Sequence, residues 1–224
     1  MISPPPHMAL IPAKAYSSRC PDKNWREFFM GAHLVSYVLE RLPQGLFSRI
    51  IVSTDKPDFL SPAGVTLHKR DPFFATVASP VNDLISRIIE ESQLPDHAYL
   101  WLLNPTSPFR EEADFQKISE MIENENPDSV VSVCSVNPFL WKNAKPMFKT
   151  SYPRINTQDN PEEYALENGQ FYVFKAGFFR QTQTWYSEKT LLYRQNSLGH
   201  RIDIDTENDF AEAQNWAGVI HGKK

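Results

Sequence analysis

The sequence predicts an α/β domain built on a mostly parallel sheet flanked by helices. Short apolar runs alternate along the chain with stripes of helical period, which is the pattern of strands joined by helical crossovers. The segments that follow the runs are polar and rich in charged side chains, as ligand-binding loops at the carboxyl ends of parallel strands should be. No internal repeat interrupts the order.

The first seven residues, with Pro4-Pro5-Pro6, read as a flexible tail, and residues 8–224 as one domain. Met8-Ala-Leu-Ile is a buried first strand stopped by Pro12. A long polar loop runs from Lys14 to Asn24. Leu34, Val35, Val38, Leu39 and Leu42 then repeat with helical spacing up to Pro43 and Gly45. Arg49-Ile-Ile-Val-Ser is a second strand. Val81, Leu84, Ile85, Ile88 and Ile89 form a helix stripe before the strand Ala98-Tyr-Leu-Trp-Leu-Leu, and Phe115, Ile118, Met121 and Ile122 form another before Ser129-Val-Val-Ser-Val. Residues 137–161, with four prolines, break the rhythm and read as an excursion from the sheet. Regular structure is expected again at Phe171-Tyr-Val-Phe and Arg201-Ile-Asp-Ile, with a last helix from about Glu207 to Trp216.

Composition narrows the function. Hydrophobic residues make up 41% and charged residues 22%, which is enough apolar material for a core. A net charge of −4 argues against non-specific binding to nucleic acid or acidic membranes, while leaving room for a local basic pocket. Cys20 and Cys134 make neither a metal cluster nor a disulfide framework, and read as buried or idle thiols. The chain has no apolar run of roughly 20 residues and no signal-peptide pattern at its start, so a soluble cytoplasmic protein is expected.

Two segments carry candidate chemistry. The first loop sets Lys14, Arg19 and Lys23 against Asp22 alone, with Ser17 and Ser18 as further donors. Such a loop is either solvated basic surface or a seat for a triphosphate, whose roughly four negative charges need fixed cations and donors. It is neither a P-loop nor a dinucleotide fingerprint. The second segment is Arg201-Ile-Asp-Ile-Asp-Thr206. In a strand, Asp203 and Asp205 share a face and make a hard-oxygen site for Mg²⁺. Asp205 or Thr206 also suits the N-cap of the last helix, and the two readings are compatible.

Taken in order, these segments resemble the acylneuraminate cytidylyltransferases, the synthetases of CMP-sialic acid and related nonulosonates, over about residues 8–216. The matching stretches are Pro12-Ala-Lys-x-x-Ser-x-Arg-x-Pro-x-Lys-Asn24, Ile50-Ile-Val-Ser-Thr-Asp55, Leu102-Leu-Asn-Pro-Thr-Ser-Pro-Phe-Arg110 and Asp128-Ser-Val-Val-Ser-Val133. They continue with Gln158-Asp-x-Pro, Tyr164, Asn168-Gly-x-x-Tyr172 and Asp203-Ile-Asp-Thr. The resemblance implies a Rossmann-like nucleotidyltransferase fold with a protruding dimerisation arm at about 137–161, and a homodimer that uses CTP and an acidic sugar. It assigns Lys14, Ser17, Arg19, Lys23, Asn24 and Arg70 to the nucleotide. Asn104, Arg154, Asn168, Tyr172, Trp185 and Tyr186 go to the sugar, and Asp203 and Asp205 to Mg²⁺ or Mn²⁺. Arg19, Lys23 and the two aspartates would carry catalysis.

The chain departs from the family pattern in several places. Lys14-Ala-Tyr16 stands for a frequent Arg-Gly-Gly, Ser18 for a lysine and Asn104 for a glutamine. Gln170 replaces a small residue, and Val77 lies near the place of an acidic one. The changes fall mostly on the sugar side, which implies an unusual nonulosonate. The rivals are an enzyme for the eight-carbon acid of lipopolysaccharide and a catalytically silent binding homologue.

Overall fold

The computed structural model describes residues 4–75, 79–136, 138–148, 156 and 164–222. In chain order the first half comprises β1 (His7–Pro12), β2 (Glu27–Phe29), β3 (Ala32–His33), α1 (Leu34–Leu39), β4 (Arg49–Thr54), β5 (Val65–Lys69), α2 (Pro72–Ala75) and α3 (Val81–Glu91). Then come β6 (Tyr99–Leu102), α4 (Glu112–Glu125), β7 (Ser129–Val136), β8 (Trp141–Lys142), β9 (Lys145–Pro146), β10 (Tyr164–Lys175), α5 (Ala176–Thr182), β11 (Thr190–Arg194) and α6 (Glu207–Ile220).

Seven strands form one sheet in the order β11-β7-β10-β6-β1-β4-β5. Only β10 runs antiparallel to its neighbours. This is the mostly parallel α/β sheet expected from the sequence. The two faces of β1 show why the run Met8–Ile11 is continuously apolar: Ala9 and Ile11 pack into one core layer and Met8 and Leu10 into the other. The same alternation divides Tyr99 and Trp101 from Leu100 and Leu102 in β6. A third cluster joins Phe28, Tyr37, Ile204 and Phe210, and so fastens α6 to the segment after β1.

Several boundaries differ from the sequence reading. β1 takes in His7, which was assigned to the tail; its ring is 6% exposed and its Nδ1 accepts from Trp101 Nε1 at 2.9 Å. α1 stops at Leu39, short of Leu42. α6 continues past Trp216 to Ile220. Arg201–Ile204 forms no strand: a 3₁₀ turn at Gly199–Arg201 leads into extended backbone that pairs with no other strand. Its backbone groups are instead taken by loops, since Ile204 N donates to Thr106 O at 2.9 Å and Lys23 Nζ donates to Ile204 O. Two loops occupy the edges that a sheet would need. β8 and β9 pair only with each other, outside the main sheet, and most of 149–163 lies outside the described residues. Among the described residues, no helix is long and apolar enough to cross a membrane.

The chain leaves β1 for β4 and β5 on one side and returns to β6 on the other. The order therefore reverses between β1 and β6. A crevice opens at such a switch point beyond the carboxyl ends of the strands, and the loops that border it here are 13–24 and 103–110.

Candidate active site

A cavity of about 210 Å³ lies at this switch point, and Lys14, Ser17, Lys23, Asn24, Arg70 and Asn104 all line it. These six residues come from the loops after β1, β5 and β6, up to 90 positions apart in sequence, and the parallel topology brings those loops to one end of the sheet.

Each wall has its own support. Asn24 is buried, and its Nδ2 donates to Lys14 O at 3.1 Å, where Trp25 Nε1 also donates at 2.9 Å. The pair pins the start of the first loop. Ala15 N donates to Asp55 Oδ1 at 2.7 Å, tying the same loop to the end of β4. Arg70 is buried behind it, with Nε 3.2 Å from Ser53 Oγ and Nη2 donating to Ser53 O at 2.9 Å. Ser53 Oγ also lies 2.9 Å from His68 Nδ1. Ser53 Oγ accepts from Arg70 Nε, and its bond with His68 Nδ1 ties the three groups together.

The electrostatics suit an anion. Burial lowers the Arg70 guanidinium to about 10, with Asp55 opposing. Burial also lowers Lys14, helped by the charge of Arg70 and opposed by Asp55. Two cations held together and partly desolvated are penalised by their surroundings, and a polyanion between them relieves both penalties. The Tyr16 ring is 66% exposed and is not among the residues that line the cavity.

The Asp203–Asp205 segment is stitched to the rim. Arg19 Nη2 lies 2.9 Å from Asp205 Oδ2 and Lys23 Nζ 3.1 Å from Asp205 Oδ1, while Ser107 Oγ is 3.4 Å from Asp203 Oδ1. Arg19 is thus turned toward Asp205 and does not line the cavity. Ile202 and Ile204 point into the protein and the two aspartates outward, so the expected alternation survives without a strand. Burial raises the Asp203 carboxyl above its ordinary range; the charge of Asp205 adds to this, while Thr106, Lys23 and Ser107 pull the other way. Thr206 caps α6 in a reciprocal box with Asp209, which leaves the Asp205 carboxylate free of capping duty. No group of three or more His, Cys, Asp or Glu among the described residues suits an ion by itself. Two crowded carboxylates fit a cation that completes its shell with water and phosphate oxygens, as Mg²⁺ does.

Gly169 sets the approach of β10 to this corner. Its φ is +73°, and a Cβ there would stand 2.7 Å from Ser107 Oγ and 3.8 Å from Asp203 Oδ2. Gly169→Ala is expected to cost about 1–2 kcal/mol in urea denaturation and to lower turnover, because Ser107 must swing away and the backbone is strained. Unchanged stability and activity would show that the close approach has no role.

The residues that the resemblance assigns to the sugar divide. Asn104 lines the cavity, whereas Asn168 is 8% exposed with its amide engaged inside the protein. Its Oδ1 accepts from Ser132 Oγ at 2.6 Å and its Nδ2 donates to Gln195 Oε1 at 2.9 Å. Tyr172, Trp185 and Tyr186 gather separately: the Tyr172 and Trp185 rings are 4.8 Å apart, and both phenols lie 3.2 Å from Glu167 Oε2. Trp185 Nε1 donates to Asn82 Oδ1 at 2.7 Å, on the first turn of α3 beside the cavity-lining Val81. Arg154 and Val77 lie outside the described residues.

Four residues went unassigned in the sequence. Asp55 and Ser107 sat inside recognisable stretches without a role. Glu167 precedes the Asn-Gly turn. Buried Arg110, lowered to about 9 by burial, donates to Gln170 O at 2.6 Å and to Asn104 O at 3.0 Å, clamping the loop after β6 to β10.

A basic first loop at the switch point, backed by a buried arginine and flanked by paired carboxylates, defines a nucleotide-handling α/β enzyme. The chain belongs to the cytidylyltransferase family, whose profile matches residues 8–215. It is 30% identical over 220 residues to the CMP-N,N'-diacetyllegionaminic acid synthase of Legionella pneumophila, covering 91% of this chain and 93% of that protein. It is 28% identical over 218 residues to N-acylneuraminate cytidylyltransferase A of Danio rerio, covering 92% of this chain and 49% of that longer protein. The solved structure of CMP:2-keto-3-deoxy-manno-octonic acid synthetase complexed with CTP matches with a TM-score of 0.67 at 15% identity, over 96% of this chain and 99% of that one, and shows the fold.

Proposed function

We propose that the protein transfers CMP from CTP to the anomeric hydroxyl of an acidic nonulosonate sugar, releasing pyrophosphate. The convergence of Lys14, Ser17, Lys23, Asn24, Arg70 and Asn104 on one cavity at the switch point carries this reading. The anomeric oxygen forms a bond to the α-phosphorus, the bond from that phosphorus to the β-phosphate oxygen breaks, and the hydroxyl proton is lost. Such displacement depends on positioning and on neutralising charge.

Lys14, Arg70 and the Ser17 hydroxyl hold the phosphates, and the buried Asn24 keeps the loop in register. Lys23 stabilises the charge gathering on pyrophosphate, with Arg19 beside it. Asp203 and Asp205 would hold Mg²⁺ (or Mn²⁺), which when bound polarises phosphate oxygens and favours ionisation of a nearby hydroxyl. Asn104, Tyr172, Trp185 and Tyr186 face the sugar, and Arg154 is assigned to its carboxylate as a bidentate partner. Asn168 serves by holding β10 in place through its buried amide. The same reading carries a homodimer and a cytoplasmic location.

The nucleotide half is tested by calorimetry. CTP is expected to bind at least tenfold more tightly than ATP or GTP, since a site that hydrogen-bonds one base leaves polar groups unpaired against another. Equal binding of all three would reduce the site to a generic phosphate loop.

A further inference from the structure

The two carboxylates of the Asp203–Asp205 segment are not equivalent. Lys23 Nζ stands 3.1 Å from Asp205 Oδ1 and Arg19 Nη2 stands 2.9 Å from Asp205 Oδ2, so each oxygen of that carboxylate faces a cation. Among the described residues Asp203 forms no ion pair, and Ser107 Oγ meets it at 3.4 Å instead. A divalent cation held by Asp205 would crowd two positive side chains, and like charges at that range repel. One of the two has to give way.

Their surroundings decide which. The Lys23 side chain is 12% exposed, lines the cavity and donates to Ile204 O as well, so it is held from two sides. The Arg19 side chain is 68% exposed, and among the described residues Asp205 is its one partner. The backbone beneath it is fixed, because Cys20 is fully buried in the third core cluster and Lys23 N donates to Cys20 O at 3.3 Å. Arg19 can therefore change partner by rotating its side chain, with no movement of the loop. An ion pair so exposed is weak and yields readily to a stronger competitor. Ser17, two residues earlier, lines the cavity, so a rotated Arg19 remains at the rim where the phosphates are proposed to sit.

We infer that Arg19 stands in for the metal: it balances Asp205 in the absence of a divalent cation and turns to the phosphates of CTP when one binds. The inference rests on the CTP and metal assignments proposed above. It accounts for an arginine that belongs to the first loop and yet lies outside the cavity. It also couples the two ligands, since each one that binds removes a competitor of the other.

The first test reads Mn²⁺ binding to the nucleotide-free protein by electron paramagnetic resonance, in the wild type, Arg19→Gln and Arg201→Gln. Arg201 is an exposed arginine two residues from Asp203 that forms no ion pair among the described residues, and it controls for the mere loss of a nearby positive charge. Arg19→Gln is expected to tighten Mn²⁺ about three- to tenfold, the range of an exposed ion pair and the repulsion removed with it, and Arg201→Gln by less than about twofold. The second test reads CTP affinity by calorimetry, in EDTA and in saturating Mg²⁺. Arg19→Gln is expected to weaken CTP by less than about twofold in EDTA, where Asp205 competes for the arginine, and at least about fivefold in Mg²⁺. Circular dichroism checks that both variants keep the fold. Unchanged or weaker Mn²⁺ binding in Arg19→Gln, an equal gain in Arg201→Gln, or the same loss of CTP affinity with and without Mg²⁺ overturns the inference while the cytidylyl reaction stands. Failure of the wild type to bind Mn²⁺, alone or with CTP, removes the metal assignment, and the inference with it.

Discussion

Asp203→Asn is expected to lower turnover at least about a hundredfold, and Asp205→Asn to do the same, with the fold preserved in both. Burial raises Asp203 and the charge of Asp205 adds to this, while Thr106, Lys23 and Ser107 offset part of the cost; on the proposed reading a bound cation would offset more of it. The two variants differ in a useful way. Asp205→Asn also weakens the contacts of Arg19 and Lys23 with that carboxylate, whereas Asp203→Asn leaves them in place. The Arg19 pair is largely exposed and contributes little stability, and the Thr206–Asp209 cap that starts α6 is untouched. Melting temperatures close to the wild type are therefore expected alongside the loss of rate. Normal turnover in Asp203→Asn, with an unchanged circular dichroism spectrum, would remove the paired carboxylates from the mechanism.

Lys23→Ala is expected to be nearly as severe. The Lys23 side chain is 12% exposed and reaches both Ile204 O and Asp205 Oδ1, so one ammonium joins the first loop to the Asp203–Asp205 segment. Removing it takes a cation from the cavity and loosens the segment that holds Asp203. CTP affinity is expected to fall at least tenfold and kcat/KM about a thousandfold, the scale for losing a preorganised charge at a developing anion. Calorimetry and steady-state rates read the two effects separately. Wild-type values for both would mean that Lys23 is only a structural tie.

The central strands were legible because they are buried on both faces. In Met8–Ile11 and Tyr99–Leu102 every side chain enters one core layer or the other, and nothing polar breaks the run. β5 and β11 went unread for the opposite reason. They are the edges of the sheet, half exposed, and Val65-Thr-Leu-His-Lys and Thr190-Leu-Leu-Tyr-Arg carry too few apolar side chains to stand out from loops. The cation-rich first loop and the aspartate pair were also visible as compositions. Their mutual contact was not, because Lys23 and Asp205 are 182 positions apart and meet only through the fold. Period-two reasoning placed Asp203 and Asp205 on one face correctly, yet it read as a strand a segment whose partners are loops. Asn168 carries a further lesson: a motif residue can act through three buried side-chain neighbours, Ser132, Cys134 and Gln195, and no pattern of spacing distinguishes that from direct contact with a ligand.

The most direct measurement incubates the full chain with CTP, Mg²⁺ and a panel of nonulosonic acids, and follows both pyrophosphate release and the CMP-sugar product by mass spectrometry. The account predicts equimolar pyrophosphate and a CMP-nonulosonate for at least one acid, with no product from ATP or GTP. CTP hydrolysis without a sugar adduct, or no reaction with any acid, would contradict it.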